Sequence, residues 1–489
     1  MNLNHINVIA RYEVKLVKRS WLFRIFAILA LLFISAIMLG YQTGIVNRMD
    51  NLWPRIAVSS LMPFCNTYFY NIAQSVIVVF LAGSFLKRDK KLDTAEVIYV
   101  RPMSNADYIV GKTWGIVKVF ITLNIITLLF TAFLNILINK SPFDLFPYLF
   151  YLLTISVPSL LFVLGLSFTA MCILKNQAVT FIVMLGIIGT VFFYLTDTLY
   201  GVFDFFGVNI PAIFSDVTGH ADLRLFLLQR FSYLLAGIGL ISMTIALVKR
   251  LPHKPWKIAV VYTFSSLFLL AACLGGLLYI LHYNHQLDLR HQYIMTFDKY
   301  ADVPHVDLLV NDISVTPQGY RLAGKSMVKV ANNNAKPLDK IIFYLNPELT
   351  VTSVEMAGKN LLFRRDHQVI EVDQPIQQQE ELTLTINYEG KISENICYTD
   401  VLTEDYLDTK VPQVFWRFGK RYAWLSNTFT LLTPECIWYP VTIAPVNPGA
   451  PYNVRKNFTD YTLTVHYEGD KTVLSQGKSK IDGSVITFT

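Results

Sequence analysis

Seven apolar stretches crowd the first 283 residues, near 21–41, 64–86, 114–138, 148–173, 178–199, 231–248 and 258–281. Each is long enough, or nearly so, to cross a hydrocarbon core of about 30 Å. Inside a bilayer every backbone polar group must find its partner within the protein, so these stretches are restricted to helices. Composition agrees: 53% of residues are hydrophobic, 16% are charged, and the mean hydropathy is +0.42. This excludes an ordinary soluble enzyme, which carries about 25% charged residues. It also excludes a disordered chain, which lacks such apolar surface. Five cysteines in 489 residues are too few for a disulfide scaffold.

Charge divides the chain at Tyr283. Residues 1–283 hold 22 Lys and Arg against 11 Asp and Glu, and residues 284–489 hold 20 against 24. The first part is apolar and basic. The second reads as a water-facing domain, large enough to bury a core without metals or disulfides. The first apolar stretch follows Arg11, Lys15, Lys18 and Arg19 and lacks a small-residue cleavage site, so it reads as a span and not a signal peptide. Residues 4–20 read as an amphipathic segment lying at the membrane interface. With the N-terminus in the cytoplasm, the segments 1–20, 87–113, 174–177 and 249–257 hold 15 Lys and Arg, and the outer loops 42–63, 139–147 and 200–230 hold 5. Basic residues favour the cytoplasmic side, so an odd number of spans puts residues 283–489 outside the cytoplasm.

The spans carry almost no charge. Arg24 and Lys118 lie close enough to a cytoplasmic end to snorkel, and no Asp or Glu lies at mid-depth. Ion-coupled transporters carry buried ionisable groups, so any transport driven by this chain draws its energy from a partner.

The segment 87–113, KRDKKLDTAEVIYVRPMSNADYIVGKT, carries the most information in this half. Lys87 to Lys91 stop the second span. Asp93 and Thr94 offer an N-cap, Ala95, Glu96 and Val97 open a short helix, and Pro102 ends it. A charged exit, a short helix with Glu, then Pro-Met-Ser, Asp-Tyr and Gly-Lys resembles the cytoplasmic coupling loop of type-2 ABC exporter permeases. The interfacial segment, the six following spans, and the loop 200–230 broken by Gly201, Gly207 and Pro211 fit the same pattern, which covers about residues 1–250. The resemblance implies docking on a separate ATP-binding cassette subunit, a dimer of permease domains, and a multi-pass protein of the inner membrane. It makes Asp93, Thr94, Ala95, Glu96, Val97, Arg101 and Pro102 the contact with the ATPase, with Glu96 and Arg101 as its polar partners. Residues 106–113 also fit a relaxed Walker A pattern, but Asp107, Tyr108, Ile109 and Val110 cannot form the Gly-rich phosphate cradle. Lys112 is expected instead to anchor a helix end at the headgroups. No nucleotide or nucleic acid is expected on this chain.

From about residue 306 the pattern changes to two-residue alternation. Strand-like runs occupy 319–330, 340–345, 350–356, 360–364, 368–373, 381–388, 458–467, 471–475 and 484–488, with a hairpin turn at 357–360. Short strands so punctuated point to an all-β sandwich. Asn-Pro-Glu-Leu-Thr-Val-Thr-Ser-Val from Asn346, Leu-Thr-Leu-Thr-Ile-Asn-Tyr-Glu-Gly to Gly390, Trp438-Tyr-Pro and Tyr461-Thr-Leu-Thr-Val-His follow one another in order. Together they resemble the N-terminal β-domain of aminopeptidase-N-type zinc peptidases over about 310–489. That family's chemistry needs His-Glu-x-x-His to hold zinc beside a general base. Neither this run nor the Gly-x-Met-Glu-Asn substrate loop occurs here, and His282, His285 and His291 form the one loose histidine cluster. No metal, cofactor or catalytic residue is therefore assigned, and the expectation is a chain that is not itself an enzyme. Residues 484–489 read as an interrupted strand, so the chain is expected to be the front part of a permease–peptidase fusion. Cys397 and Cys436 can pair, although spacing does not establish it.

The expected organisation is thus a permease-like helical domain (1–250), a seventh span with linker (251–283) and an extracytoplasmic β-sandwich (284–489). Two other roles compete with transport, an anchor for a peptidase-like module and an assembly protein whose sandwich binds a partner. The charge asymmetry makes one test direct. A cysteine introduced near Asn332 is expected to react with a membrane-impermeant reagent on intact cells while one at Lys90 stays protected; the reverse result inverts the topology.

Overall fold

The computed structural model describes residues 2–42, 60–83, 103–138, 143–196, 198–207, 210, 214–215, 219–220, 222–248, 255–401, 421–444, 458–467 and 471–489. They divide into two compact units, one of the described residues up to Tyr283 and the other of those from Asn284 onward.

The first unit is helical. Its described helices are α1 (Leu3–Arg19), α2 (Trp21–Gln42), α3 (Leu61–Gly83), α4 (Asn105–Ile138), α5 (Phe146–Leu174), α6 (Gln177–Leu195) and α7 (Leu223–Leu247). The last helix, α8 (Pro255–Tyr300), starts here and ends in the second unit. Among the described residues six helices, α3 to α8, are long and apolar enough to cross a membrane. The first expected span forms α2, whose apolar portion Trp21–Phe33 is shorter than the others.

Local chemistry sets the helix ends. Asn2 caps α1 by accepting from the Asn4 N–H, and Lys18 and Arg19 close it where cations meet the negative end of the helix dipole. Two residues join α5 to α6: Lys175 takes a left-handed φ of 56° at the end of one helix, and the Asn176 side chain accepts from Ala178 N and Val179 N to start the next. Several boundaries differ from the sequence reading, α8 running on to Tyr300 among them. The third span begins at Asn105 rather than 114, so the end of the 87–113 loop is already helix. The sixth begins at Leu223 rather than 231, because a buried face carries the helix past its polar residues.

Helices pack closely where glycine allows. A Cβ at Gly237 would lie 2.7 Å from the Leu161 carbonyl carbon, and one at Gly165 would lie 2.8 Å from the Gly237 carbonyl oxygen. Such small-residue contacts let two helix backbones approach closely.

The second unit carries β1 (Asp307–Gln318), β2 (Arg321–Ala331), β3 (Ile341–Tyr344), β4 (Leu349–Met356), β5 (Lys359–Asn360), β6 (Phe363–Asp366), β7 (Val369–Val372), β8 (Glu381–Gly390), β9 (Ala423–Leu425), β10 (Thr430–Leu432), β11 (Asp460–His466), β12 (Ser479–Asp482) and β13 (Val485–Phe488). Eight form one sheet in the order β12-β13-β11-β1-β2-β8-β4-β5, three form a second, β3-β7-β6, and β9 pairs with β10. Alternation decides the faces. Leu384 and Ile386 of β8 are fully buried with Val328 and Val330 of β2, and they share a core with Ile341 and Phe343 of β3 and Ile370 and Val372 of β7. The expected turn at 357–360 is present, with Ala357 and Gly358 both at positive φ, as a two-residue hairpin loop requires.

The all-β sandwich needs correction. The sheet is mixed, since β11 runs parallel to β1 with Leu463 beside Ile313, and the chain between them supplies the crossover that parallel pairing needs. The unit also begins with the last turns of α8. Residues 471–475 form no strand, while β1 was absent from the expected set.

The end of α8 is held to the smaller sheet by acids. Lys299 Nζ lies 2.5 Å from Asp366 Oδ2, Tyr300 donates to Asp366 and Glu371, and Lys340 Nζ lies 3.0 Å from Glu371 Oε2. The Lys299 hydrogen bond holds the Asp366 carboxyl below the usual carboxylate range, and those of Tyr300 and Lys340 do the same for Glu371. A carboxyl lowered by folding stabilises above its unfolded pKa, near 4, and that contribution is lost as pH falls through the lower folded value. Thermal melts of the purified chain are therefore expected to lose stability steadily between about pH 5 and 3. The Asp366→Asn/Glu371→Gln variant is expected to show a shallower acid dependence; equal slopes would remove this anchor.

Candidate functional site

Pro158 lies inside the apolar stretch of α5. It has no N–H for the carbonyl of Thr154, four residues earlier. The helix widens there into a π turn, Leu152–Ser156. A guanidinium from α7 takes up the carbonyls so released. Arg230 Nε donates to Thr154 O at 3.1 Å, and Nη2 donates to Ile155 O at 3.3 Å, to Ser159 Oγ at 2.7 Å and to Phe205 O at 3.0 Å. Nη1 donates to Asp204 O at 3.2 Å. Arg230 is 1% exposed, and a charge so buried persists only where its donors are satisfied.

The segment from Gly201 to Gly207 is folded against this cation. Asp204 Oδ1 accepts from Phe206 N and Gly207 N, and Gln229 Nε2 donates to Gly201 O and Asp204 O. A side chain at Gly207, with φ of 76°, would press on Ile155 and on the guanidinium. From Ser159 the polar network runs on through α3 to α4. Asn71 Nδ2 donates to Ser159 Oγ at 2.8 Å and to Phe206 O, Gln74 Nε2 donates to Asn71 Oδ1 at 2.8 Å, and Asn124 Nδ2 donates to Gln74 Oε1 at 3.1 Å. Four helices are thus cross-linked by buried amides, a hydroxyl and one guanidinium. Buried polar groups of this kind are costly unless each donor and acceptor finds a partner. The sequence reading missed Arg230 because it counted the residue with the outer loop 200–230. Pro158 within one apolar stretch and an Arg bordering another were the available signal.

A second cluster ties α1 to the start of α4. The buried face of α1 is Ile6, Ala10, Glu13 and Val17, spaced at helical intervals. Across it lie Gly111 and Gly115; Cβ atoms there would meet Ile9 at 2.8 Å and Glu13 at 2.7 Å. Lys112 Nζ lies 3.6 Å from Glu13 Oε2, with both side chains buried, and 5.1 Å from the Tyr108 ring centroid. Asp107 accepts from the N–H groups of Asn2 at 2.8 Å and Ser104 at 3.1 Å. The expected headgroup anchor is therefore corrected: Lys112 is an interior partner of Glu13, because α1 covers it. Arg11, Lys15, Lys18 and Arg19 stay exposed on the other faces of α1.

Asp93, Thr94, Ala95, Glu96, Val97, Arg101 and Pro102, expected to contact an ATPase, lie outside the described residues. In the second unit, Cys397 and Cys436 bring their sulfurs to 3.4 Å as free thiols. The Glu394 carboxylate accepts from Arg421 Nη1 at 2.6 Å and from Ala423 N at 3.0 Å. Among the described residues no group of three or more His, Cys, Asp and Glu stands where it could hold a metal ion, and His282, His285 and His291 do not form one.

No family model matches the chain, and neither does any curated protein. Solved structures do. An M1 zinc metallopeptidase from Deinococcus radiodurans is 16% identical, with a TM-score of 0.27, over 37% of this chain and 38% of that one. A variant of that enzyme bound to a Tyr-Ser-Ala substrate gives 17% identity and a TM-score of 0.26, over 37% of this chain and 38% of that one. Yeast LTA4 hydrolase gives 11% identity and 0.23, over 37% of this chain and 26% of that one. The chain spans only 38% of the length of the Deinococcus enzyme. The expectation that the chain is not an enzyme is corrected by these neighbours. The neighbours named are zinc metallopeptidases and a hydrolase.

Removing the cation from the first cluster leaves several buried carbonyls without donors, each costing about 1–3 kcal/mol. Arg230→Ala is expected to lower the melting temperature in detergent by several degrees or to abolish folding. Arg230→Lys is expected to recover only part of the loss, because an ammonium has three donors and no planar fork. Melts unchanged by either substitution would show the network to be dispensable.

Proposed function

We propose that this chain is the membrane-spanning permease subunit of an ABC-type exporter, driven by a separate ATPase, with an aminopeptidase-N-like β-unit on the extracytoplasmic side for binding or assembly. In this reading the N-terminus is cytoplasmic, the permease domain works as a dimer, and the protein resides in the inner membrane. The observation that carries the reading is the clamp of α1 on α4. A simple anchor needs one span and no buried contact between an amphipathic N-terminal helix and a spanning one. Here Gly111, Gly115 and the Glu13–Lys112 pair join α1 to α4 directly after the segment 87–102. An ATPase pushing on that segment would move α1 and α4 as one body, and α4 joins the Arg230 network through Asn124. The exposed basic face of α1 suits the same cytoplasmic surface.

In a second reading the helices anchor the front part of an aminopeptidase-N-type metallopeptidase. The ordered resemblance of residues 310–489 to the N-terminal β-domain of those enzymes favours it. Chelator-sensitive cleavage of aminoacyl substrates that co-purifies with the chain, without any ATPase, would decide for it.

For the permease, Glu96→Lys is expected to weaken co-purification of the ATPase about tenfold, equivalent to about 1.4 kcal/mol, and to abolish transport-stimulated ATP hydrolysis. Insertion and melting temperature are expected to stay as in the parent chain. Unaltered co-purification together with unaltered stimulation would reject the ATPase contact.

A further inference from the structure

Residues 284–489 contain two cysteines, Cys397 and Cys436, and folding brings them together across 39 positions of chain. Their sulfurs are 3.4 Å apart and both residues are fully buried. Each terminates a short 3-10 turn, Cys397 following Glu394–Ile396 and Cys436 ending Pro434–Cys436. One side chain fastens the two turns to each other. Asn346 Nδ2 donates to Ser393 O at 2.9 Å and to Cys436 O at 2.7 Å, while Asn346 Oδ1 accepts from Ser393 N at 3.0 Å. Arg290 fastens the first turn again, donating to Asn395 O, Cys397 O, Tyr398 O and Val401 O at 2.7–3.2 Å. The backbones carrying the thiols are therefore held by groups other than the thiols. Closing 3.4 Å to the roughly 2.05 Å of a sulfur–sulfur bond asks only for small side-chain rotations.

We propose that Cys397 and Cys436 are a redox-modification site, joined as a disulfide that closes the segment 398–435 into a covalent loop. This rests on the extracytoplasmic placement of residues 284–489, because disulfides persist in oxidising compartments. The oxidant is of the thiol–disulfide exchange class. One cysteine thiolate attacks the oxidant's disulfide, forming a mixed disulfide and releasing one oxidant thiolate. The second cysteine thiolate then attacks the mixed disulfide and releases the other. Two cysteine thiols are oxidised, one external disulfide is reduced to two thiols, and the two protons pass to those thiols.

Geometry also sets when this happens. In the folded chain the hydrogen bond with Cys436, then burial, then the Glu394 and Glu435 carboxylates push the Cys397 thiol up. The attacking species is the thiolate, so the bond forms while the chain is still folding and is afterwards sealed from solvent. Once formed, it holds the Glu394 cap over Arg421 and Ala423 against the turn at Cys436.

The test uses the full chain, trapped in its native membranes with a permeant alkylating reagent in denaturant, then digested and weighed with and without reductant. Cys397 and Cys436 are expected to escape alkylation and to appear as one linked peptide pair, 2 Da lighter than the two thiol peptides. Cys65, Cys172 and Cys273 are expected to be alkylated in the same sample. In Cys397→Ser, Cys436 is expected to become alkylated without reductant. A parallel sample carries Lys359→Cys, at the exposed hairpin of β4 and β5, in the Cys397→Ser/Cys436→Ser background, and is labelled with an impermeant reagent on intact cells. Free Cys397 and Cys436 with Cys at position 359 labelled would overturn the disulfide and leave the topology standing. Free thiols with position 359 protected would overturn the topology and the disulfide with it.

Discussion

Apolar surroundings offer no water to a buried polar group, and the helical unit is arranged around that constraint. Arg230 is its sharpest expression. Pro158 removes one backbone donor from α5, the π turn Leu152–Ser156 turns carbonyls outward, and the guanidinium of α7 meets them. The same cation donates to the Phe205 carbonyl and to the Ser159 hydroxyl oxygen, so the position of the segment 201–207 follows from it. None of these groups is stable there alone. The proline, the π turn, the cation and the folded-in segment each supply what another lacks, and the amides of Asn71, Gln74 and Asn124 extend this mutual satisfaction to two more helices.

Close approach is the second requirement. Small residues at a helix contact let the backbones come together and gain close packing. Gly165 with Gly237 does this between α5 and α7, and Gly111 with Gly115 does it between α4 and α1. The latter contact also creates the dry environment in which Glu13 and Lys112 face each other, so steric fit and charge pairing there are one device. This gives α1 a fixed attachment to α4 through buried side chains.

The β-unit solves a different problem, with water on its outside. Strand alternation sorts Leu384 and Ile386 to one face and Thr385 and Asn387 to the other, and two sheets close over the apolar face. Polar residues within this unit pin irregular chain. Asn346 and Arg290 hold the turns that carry the cysteines, and Lys299 and Tyr300 hold the end of α8 to Asp366 and Glu371.

Much of this was legible in the sequence. Long apolar runs specify spanning-length helices because nothing else satisfies a backbone in hydrocarbon, and the change to two-residue alternation near 306 specifies strands because side chains of a strand point alternately to its two faces. The turn at Ala357–Gly358 was legible for the same local reason, since two positive φ angles are needed there. What required tertiary structure was every assignment that depends on a distant partner. Lys112 looks like a headgroup anchor until α1 covers it, and Arg230 looks like a loop residue until Thr154, Ile155 and Phe205 surround it. The mixed sheet was hidden likewise, because parallel pairing of β11 with β1 joins residues about 150 positions apart. Periodicity reports which face of an element is apolar. It carries no record of which other element supplies the hydrogen bonds and charges that a buried polar group must find.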